Sequence, residues 1–502
     1  MQIEEILQGV PCVRCSCPSA EVTGVEYDSR HIASGSLFVA MQGETTDGNR
    51  YIKNAIDKGA VAVVTDSSAT FNDLALNHPH IAVTEVAKGR NALALIAANF
   101  FSHPEKQLVL CGVTGTNGKT TTAFLLDAML NHVDRKTVLV GSIEYHVAGV
   151  VRPSPHTTPE SRDLLELLRD GAHAGATEAV MEVSSHALAQ GRVHGLPFDV
   201  AIFTNLTRDH LDFHGTMENY FAAKRKLFDG GLLAPPRVAV VNIQDPYGAQ
   251  MASAAREAGS EVLTYGIGVG DFRAESIQMA AGGMRFALES SAGSVQIQTR
   301  LTGRVNVYNL LAASAAASAR CLSLEEICAG IASLQCVPGR FQTVDTGQPF
   351  TVVVDYAHTD DALRNLTTLA REFVTATAGK VITLFGCGGD RDKTKRPLMG
   401  RAAGEGSDIV VLTSDNPRSE EPEAILSDVL PGLQATGVKY VTEPDRYHAI
   451  RLALEAASVG DIVLIAGKGH EKTQTLKNGV IPFDDAEVAS TILNELHSGV
   501  KA

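Results

Sequence analysis

The chain has 502 residues, 44% hydrophobic and 20% charged, which is ordinary globular usage at a length that makes about three domains. Lys and Arg number 43 against 57 Asp and Glu, a net charge of -14, so a nucleic-acid partner is not expected and any phosphate binding must be local. No apolar run is long enough to span a membrane, and Met1-Gln2-Ile3-Glu4-Glu5 lacks the basic and apolar regions of a signal peptide, so the expected location is cytoplasmic.

Residues 1–88 read as a small α/β domain. Apolar runs predict strands over 36–41, 61–65 and 81–86 and a helix over 51–58. The polar stretches Tyr27-Asp28-Ser29-Arg30, Gly43 and Asp47-Gly48-Asn49 are by themselves turn chemistry. Cys12, Cys15 and Cys17 lie close together, but no second Cys or His pair follows at ligand spacing, so reduced thiols are expected rather than a metal site.

Residues 89–338 carry the stretch around which the chain is organised. An apolar strand over 108–111 breaks into a turn with Gly112, Gly115 and Gly118 and resumes as a helix through Lys119, Thr120, Thr121 and Thr122. Glycines let backbone N–H groups crowd around polyphosphate oxygens, and the positive end of the helix dipole points at the same place. In Gly115-Thr116-Asn117-Gly118-Lys119-Thr120-Thr121, Lys119 suits the terminal phosphates and the Thr120 hydroxyl a magnesium ion, although Val113 stands where the usual loop has its first glycine. Strands are predicted over 138–143, 179–183, 200–206 and 238–242 with helical patterns between them, which implies a parallel sheet covered on both faces. An antiparallel excursion over 271–301 and an alanine-rich helix over 309–320 complete the region.

Residues 339–502 repeat the alternation, with strands predicted over 350–356, 380–385, 408–413 and 461–466. Polar residues close several of these runs, where burial without partners is costly. Glu182 and His210 fall at carboxyl ends of strands in the cradle's own sheet and can join Thr120 around magnesium or phosphate. Lys224 reads as a surface lysine, with a phosphate clamp as the alternative. Arg340 and Asp355 lie beside a hinge and can reach the nucleotide if the last domain closes. Four loops after strands point at one rim: Asp355-Tyr356-Ala357-His358 and the three rim loops Gly386-Cys387-Gly388-Gly389-Asp390-Arg391, Asp415-Asn416-Pro417-Arg418 and Gly467-Lys468-Gly469-His470-Glu471. Arg391 and Arg418 suit carboxylates, whereas Asp415 and Glu471 suit an ammonium group, so the matching ligand is an amino acid.

These residues resemble the ATP-dependent Mur ligases of peptidoglycan synthesis, whose loop is also shared by folylpolyglutamate synthetases. The motifs Tyr27-Asp28-Ser29-Arg30, Thr157-Thr158-Pro159-Glu160, Glu182-Val183-Ser184-Ser185-His186-Ala187-Leu188 and Asp415-Asn416-Pro417-Arg418 resemble the members that add diaminopimelate to a UDP-muramoyl dipeptide. The resemblance implies a small N-terminal α/β UDP-binding domain, a central P-loop-type parallel sheet that binds ATP and a C-terminal Rossmann-like α/β domain that brings the amino acid. It implies that Ser29, Thr157, Thr158, Ser184, Gln190 and Arg192 contact the UDP-dipeptide. By the same likeness Asn309, Arg340 and Asp355 join the loop residues at ATP. Thr120, Glu182, His210 and Lys224 serve magnesium, Lys224 as a carbamate formed from CO2. Arg391, Asp415, Asn416, Pro417, Arg418, Gly467 and Glu471 hold diaminopimelate. Lysine as the amino acid, a folylpolyglutamate-synthetase-like ligase and a non-catalytic nucleotide-binding protein are the alternatives. The expected form is a monomer without nucleic-acid or membrane partners. Three positions depart from the family pattern: Asn49, His156 and Asp360.

Overall fold

Short apolar runs alternating with amphipathic helices build three α/β sheets in the computed structural model, which describes residues 1–16, 18–43, 46–280, 283–375 and 378–498. In the first sheet the parallel strands Gly24–Glu26, Ser36–Ala40, Ala62–Thr65 and Ala82–Val86 lie side by side. The antiparallel strand Cys12–Ser16, which the apolar pattern does not announce because four of its five side chains are exposed, closes one edge. Cys12 is free, but Cys15 is disulfide-bonded rather than a reduced thiol; Cys17 lies outside the described residues.

The central sheet has eleven strands. At its centre Val109–Thr114 runs parallel to Glu178–Glu182 on one side and Phe198–Phe203 on the other, with every residue of Glu178–Glu182 buried. Strands buried on both faces are continuous apolar runs, which is why they were legible. Chain-sequential strands do not all pair here, so crossovers leave a crevice at the carboxyl ends, where ligands of such sheets bind. Antiparallel hairpins extend both edges. Phe272–Ala280, Gly283–Ser290 and Gly293–Thr299 match the expected excursion, whereas Glu144–Val147 and Val150–Pro153 were unexpected. The alanine-rich helix begins earlier than its composition suggests, at Arg304, and runs to Ala319 with almost its whole length buried against the sheet.

Two strands end sooner than their apolar runs. Thr137–Val140 stops before Gly141, where a Cβ would lie 2.5 Å from the Glu182 carboxylate. Phe198–Phe203 stops before Thr204 and Asn205, whose polar groups turn to the glycine loop. Both early stops shape the site.

The third sheet orders Gln342–Val344, Thr351–Asp355, Ile462–Ala466, Val381–Phe385, Ile409–Thr413 and Lys439–Glu443, parallel except for the first. The sheets are tied by helix Gly89–Phe100, whose Ala92, Leu93 and Ile96 pack in the first core and Ala97 and Ala98 in the central one. A second tie is the Tyr27 hydroxyl, which donates to Asp163 at 2.7 Å. No helix among the described residues is long and apolar enough to cross a membrane.

Candidate active site

The glycine loop joins strand Val109–Thr114 to helix Lys119–His132. Gly118 adopts φ +84, a left-handed conformation that glycine takes without strain, and a Cβ there would collide with Asn309 Oδ1. Asn205 holds the loop from below, its carbonyl accepting from Thr116 N at 2.9 Å and its Oδ1 from Asn117 N at 2.9 Å. Lys119 folds back over the loop and donates to the carbonyls of Gly115 at 3.1 Å and Thr116 at 2.8 Å. Burial pushes its ammonium down from the ordinary lysine range, opposed by Glu182.

A cavity of about 500 Å3 opens over this loop. Thr116 to Thr121, Glu182, His210 and Asn309 line it together with Thr157 and Ser184, and Arg340 and Asp355 reach it from the third sheet. The sequence-predicted nucleotide set is therefore one site, except that Gly115 lies beneath the surface and Lys224 behind it. Glu182 is 1% exposed and accepts from Ser142, from its backbone N–H at 2.8 Å and its hydroxyl at 3.3 Å. Ser142 in turn shares a hydrogen bond with the Thr157 hydroxyl at 2.9 Å.

Lys224 is 1% exposed, contrary to its reading as a surface lysine. Helix Met217–Arg225 turns it inward, its ammonium donates to Gly115 O at 2.8 Å, and it lies 4.6 Å from the centre of the Tyr220 ring. Desolvation holds it well below the ordinary lysine range, and the Lys119 charge adds to this. His210 takes φ 53 and has its Nε2 3.4 Å from Asp209. Burial first, opposed by Asp209, lowers its imidazole, which is therefore neutral and able to ligate at physiological pH.

His214 belongs to the same aromatic group, 4.9 Å from the Tyr220 ring, with its Nε2 2.9 Å from Ser185 Oγ. Burial, then His186 and Lys224, bring it down to about 4. Its unfolded value is about 6.5, so the unfolded chain takes up this proton first and stability is lost as pH falls between the two values. His214→Gln is expected to remove this one-proton slope, and calorimetry of wild type and variant across the same pH range measures it.

The third sheet closes over the loop. Arg340 donates to Thr120 Oγ1 at 3.1 Å and packs 4.7 Å from the Tyr356 ring, which lies 5.0 Å from the ring of His470. Asp355 accepts from the backbone N–H groups of Phe341 at 2.7 Å and Ala357 at 2.9 Å. Asp361, which no motif singled out, accepts from Asn117 of the glycine loop at 3.0 Å. Its place in the first turn of Asp360–Thr375, beside the inferred hinge, is the signal that was overlooked.

On the side facing the first sheet, Thr158 donates to Glu182 O at 2.8 Å and accepts from Ser184 N at 3.1 Å, while Arg192 donates to Thr158 O at 2.8 Å. Glu160 pairs with Arg192 at 3.2 Å and with Arg90 at 2.5 Å. Gln190 lines a second cavity of about 430 Å3 together with Lys88, Arg90, Asp66, His194 and Lys226. Lys88 and Arg90 stand at the start of helix Gly89–Phe100, where cations oppose the dipole. Ser29 is buried in the first unit and lines neither cavity; its carbonyl accepts from Lys58 at 2.9 Å.

The three rim loops do converge. Asn416 donates to Glu471 at 2.7 Å, Gly389 N donates to Asn416 O at 2.9 Å, and Arg418 donates to Gly389 O at 2.7 Å. A Cβ on Gly388 would meet Arg418 at 2.9 Å and Arg391 at 3.7 Å, so both guanidinium-bearing chains flank this glycine. A Cβ on Gly467 would sit 2.7 Å from the buried carboxylate of Asp415, which only a glycine can approach so closely. Pro417 of the Asp415–Arg418 loop backs directly against Gly389 of the neighbouring rim loop.

Comparison with known proteins agrees with this geometry. Family models described as the Mur ligase family catalytic domain, the Mur ligase middle domain and the Mur ligase glutamate ligase domain match residues 21–101, 113–317 and 339–469. The chain is 52% identical over 497 residues to UDP-N-acetylmuramoyl-L-alanyl-D-glutamate--2,6-diaminopimelate ligase of Solibacter usitatus, covering 98% of each. It is 45% identical over 483 residues to the enzyme of that name from Geobacillus kaustophilus, covering 95% of each. A solved structure of a ligase of that name superposes with a TM-score of 0.67 at 33% identity over 95% of both chains. Folylpolyglutamate synthase of Mycobacterium tuberculosis, at 20% identity and a TM-score of 0.60 over 81% of this chain and 94% of its own, shares the fold. Matched in all three regions and along nearly its whole length, the chain belongs to the Mur ligase family.

Proposed function

We propose that this ATP-dependent ligase joins meso-2,6-diaminopimelate to the D-Glu γ-carboxylate of UDP-N-acetylmuramoyl-L-Ala-D-Glu in peptidoglycan precursor synthesis. The observation that carries the reading is the continuity of the glycine loop with a two-charge rim, through Arg340 on Thr120 and the Arg340–Tyr356–His470 stack. The names borne by the relatives at 52% and 45% identity support it. On this reading residues 1–88, with Ser29, take the sugar nucleotide. Residues 89–338 take ATP and residues 339–502 the amino acid, in a cytoplasmic monomer.

A carboxylate resists attack by an amine, so phosphoryl transfer from ATP comes first and yields an acyl phosphate. The amine then displaces phosphate through a tetrahedral intermediate, leaving an amide, ADP and phosphate. The loop N–H groups bind the polyphosphate, and Lys119 leaves the Gly115 and Thr116 carbonyls to meet the charge that develops. Thr157, Thr158, Ser184 and Arg192 hold the dipeptide with its carboxylate toward the loop, and Asn309, Arg340 and Asp355 hold the nucleotide. Arg391, Asp415, Asn416, Arg418, Gly467 and Glu471 present the amino acid.

The site suits magnesium. Glu182 is buried, hydrogen-bonded to Ser142 and in no ion pair with a described residue. Thr120, Glu182, His210 and Lys224 as a carbamate are the residues that would hold the ion. When bound, magnesium neutralises charge on the transferring phosphoryl group.

Steady-state release of ADP tests the proposal. It is expected to require the UDP-dipeptide and diaminopimelate together, and ADP release indifferent to the dipeptide would sink it.

A further inference from the structure

Beneath the amino-acid rim lie two buried cations to which the proposed mechanism gives no task. Arg446 opens helix Arg446–Glu455 and forms a fork with Asp485, Nε to Oδ1 at 2.8 Å and Nη2 to Oδ2 at 2.7 Å, with both side chains 0% exposed. Its remaining donors reach two backbone carbonyls, Nη1 to Ser414 O at 3.0 Å and Nη2 to Ala466 O at 3.1 Å. Ser414 and Ala466 immediately precede Asp415 and Gly467. Their strands, Ile409–Thr413 and Ile462–Ala466, are separated in the sheet by Val381–Phe385, so no sheet hydrogen bond joins the two loops directly. The planar guanidinium bridges them.

Lys468 is the second cation, with its side chain 0% exposed. Its ammonium donates to Thr473 O at 2.6 Å, to Glu471 Oε2 at 2.9 Å and to Asn416 Oδ1 at 3.3 Å. Asn416 Nδ2 also donates to Glu471 Oε2 at 2.7 Å, and Asn416 Oδ1 accepts from Thr475 N at 2.8 Å. One carboxylate oxygen of Glu471 is therefore engaged from two sides, which leaves Oε1 to meet a ligand ammonium. A buried cation is costly unless every donor is used, and here the donors are used on the residues that carry the rim.

We propose that Arg446 and Lys468 are positioning residues for the amino-acid substrate. Arg446 sets the distance between the Asp415 and Gly467 loops, and Lys468 locks Asn416 and aims Glu471. The inference rests on the reading of this rim as the amino-acid subsite.

Separate KM values for diaminopimelate, ATP and the UDP-dipeptide test it in Lys468→Met and Arg446→Lys, the latter keeping a charge against Asp485 without the two-armed fork. The KM for diaminopimelate is expected to rise at least about tenfold in each, with the other two within about twofold, because a subsite displaced by a fraction of an ångström loses its ligand and little else. Lys468→Arg should recover part of the loss. Unchanged KM values for diaminopimelate in folded variants, or equal rises for all three substrates, would overturn the proposal. If one variant does not fold, the other decides. Turnover of lysine but not diaminopimelate by the wild-type enzyme would overturn the functional reading instead, and the same comparison with lysine would still test the frame.

Discussion

Lys224→Arg is expected to lower kcat by about 1,000-fold, in line with the loss of one preorganised group at a site of developing charge. Lys224 is 1% exposed, bonded to Gly115 O at 2.8 Å and kept well below the ordinary lysine range by burial and by Lys119. A neutral amine has a free lone pair. On the proposed reading it adds to the carbon of CO2, loses a proton and becomes a carbamate, a group that the Lys119 charge would attract. Arginine stays protonated at any working pH and cannot make this bond. The wild-type enzyme should accordingly lose activity in CO2-depleted buffer and regain it with bicarbonate, more steeply at lower pH because protonation of the amine competes with CO2. Carbon-labelled bicarbonate with NMR detects the carbamate directly. An arginine variant with wild-type turnover would end this account of Lys224.

Arg418→Ala is expected to raise the KM for diaminopimelate by about 100-fold, the worth of a bidentate charge-assisted pair. Arg418 adopts φ 53, and its Nη1 reaches Gly389 O at 2.7 Å, so the guanidinium is held over the rim by backbone on both of the loops that meet there. Diaminopimelate has a second carboxylate where lysine has only hydrogens. With lysine bound, this guanidinium would face no ligand carboxylate, and a site built for a charged group rejects the analogue that lacks it by about 10,000-fold. Parallel assays with both amino acids measure the ratio. Equal turnover of lysine by the wild type would remove diaminopimelate from the proposal, and an alanine variant that keeps the diaminopimelate KM would remove Arg418 from the specificity.

The parts of this protein that were legible are those whose physics is local. Thr137–Val140, Glu178–Glu182 and Val238–Asn242 are buried along their whole length, so their apolar runs stand out in the chain. Among the strands that were missed, Cys12–Ser16 and Lys439–Glu443 lie at sheet edges with largely exposed side chains and carry no such signal. Their pairing partners, not their own residues, make them strands.

The site divides along the same line. The loop from Gly115 to Thr121 was readable because a few consecutive residues fix its backbone and aim its donors. The motif from Asp415 to Arg418 was equally readable, as was the presence of a two-charge rim. Arg340 on Thr120, 220 positions apart, and Asp361 on Asn117, 244 apart, depend on how two sheets meet. Lys224 shows the difference most plainly. Its neighbours in Tyr220-Phe221-Ala222-Ala223 do not say which face of the helix is covered, and the carbonyl that its ammonium meets, Gly115 O, lies 109 positions away. The sequence alone determined the glycine loop, the α/β sheets and the charges carried by the rim loops, because each is set by adjacent residues. Only the tertiary structure decided which lysine is buried beside the loop, which serine holds Glu182 and which cations carry the rim, because burial and spacing are properties of packed elements and not of the chain.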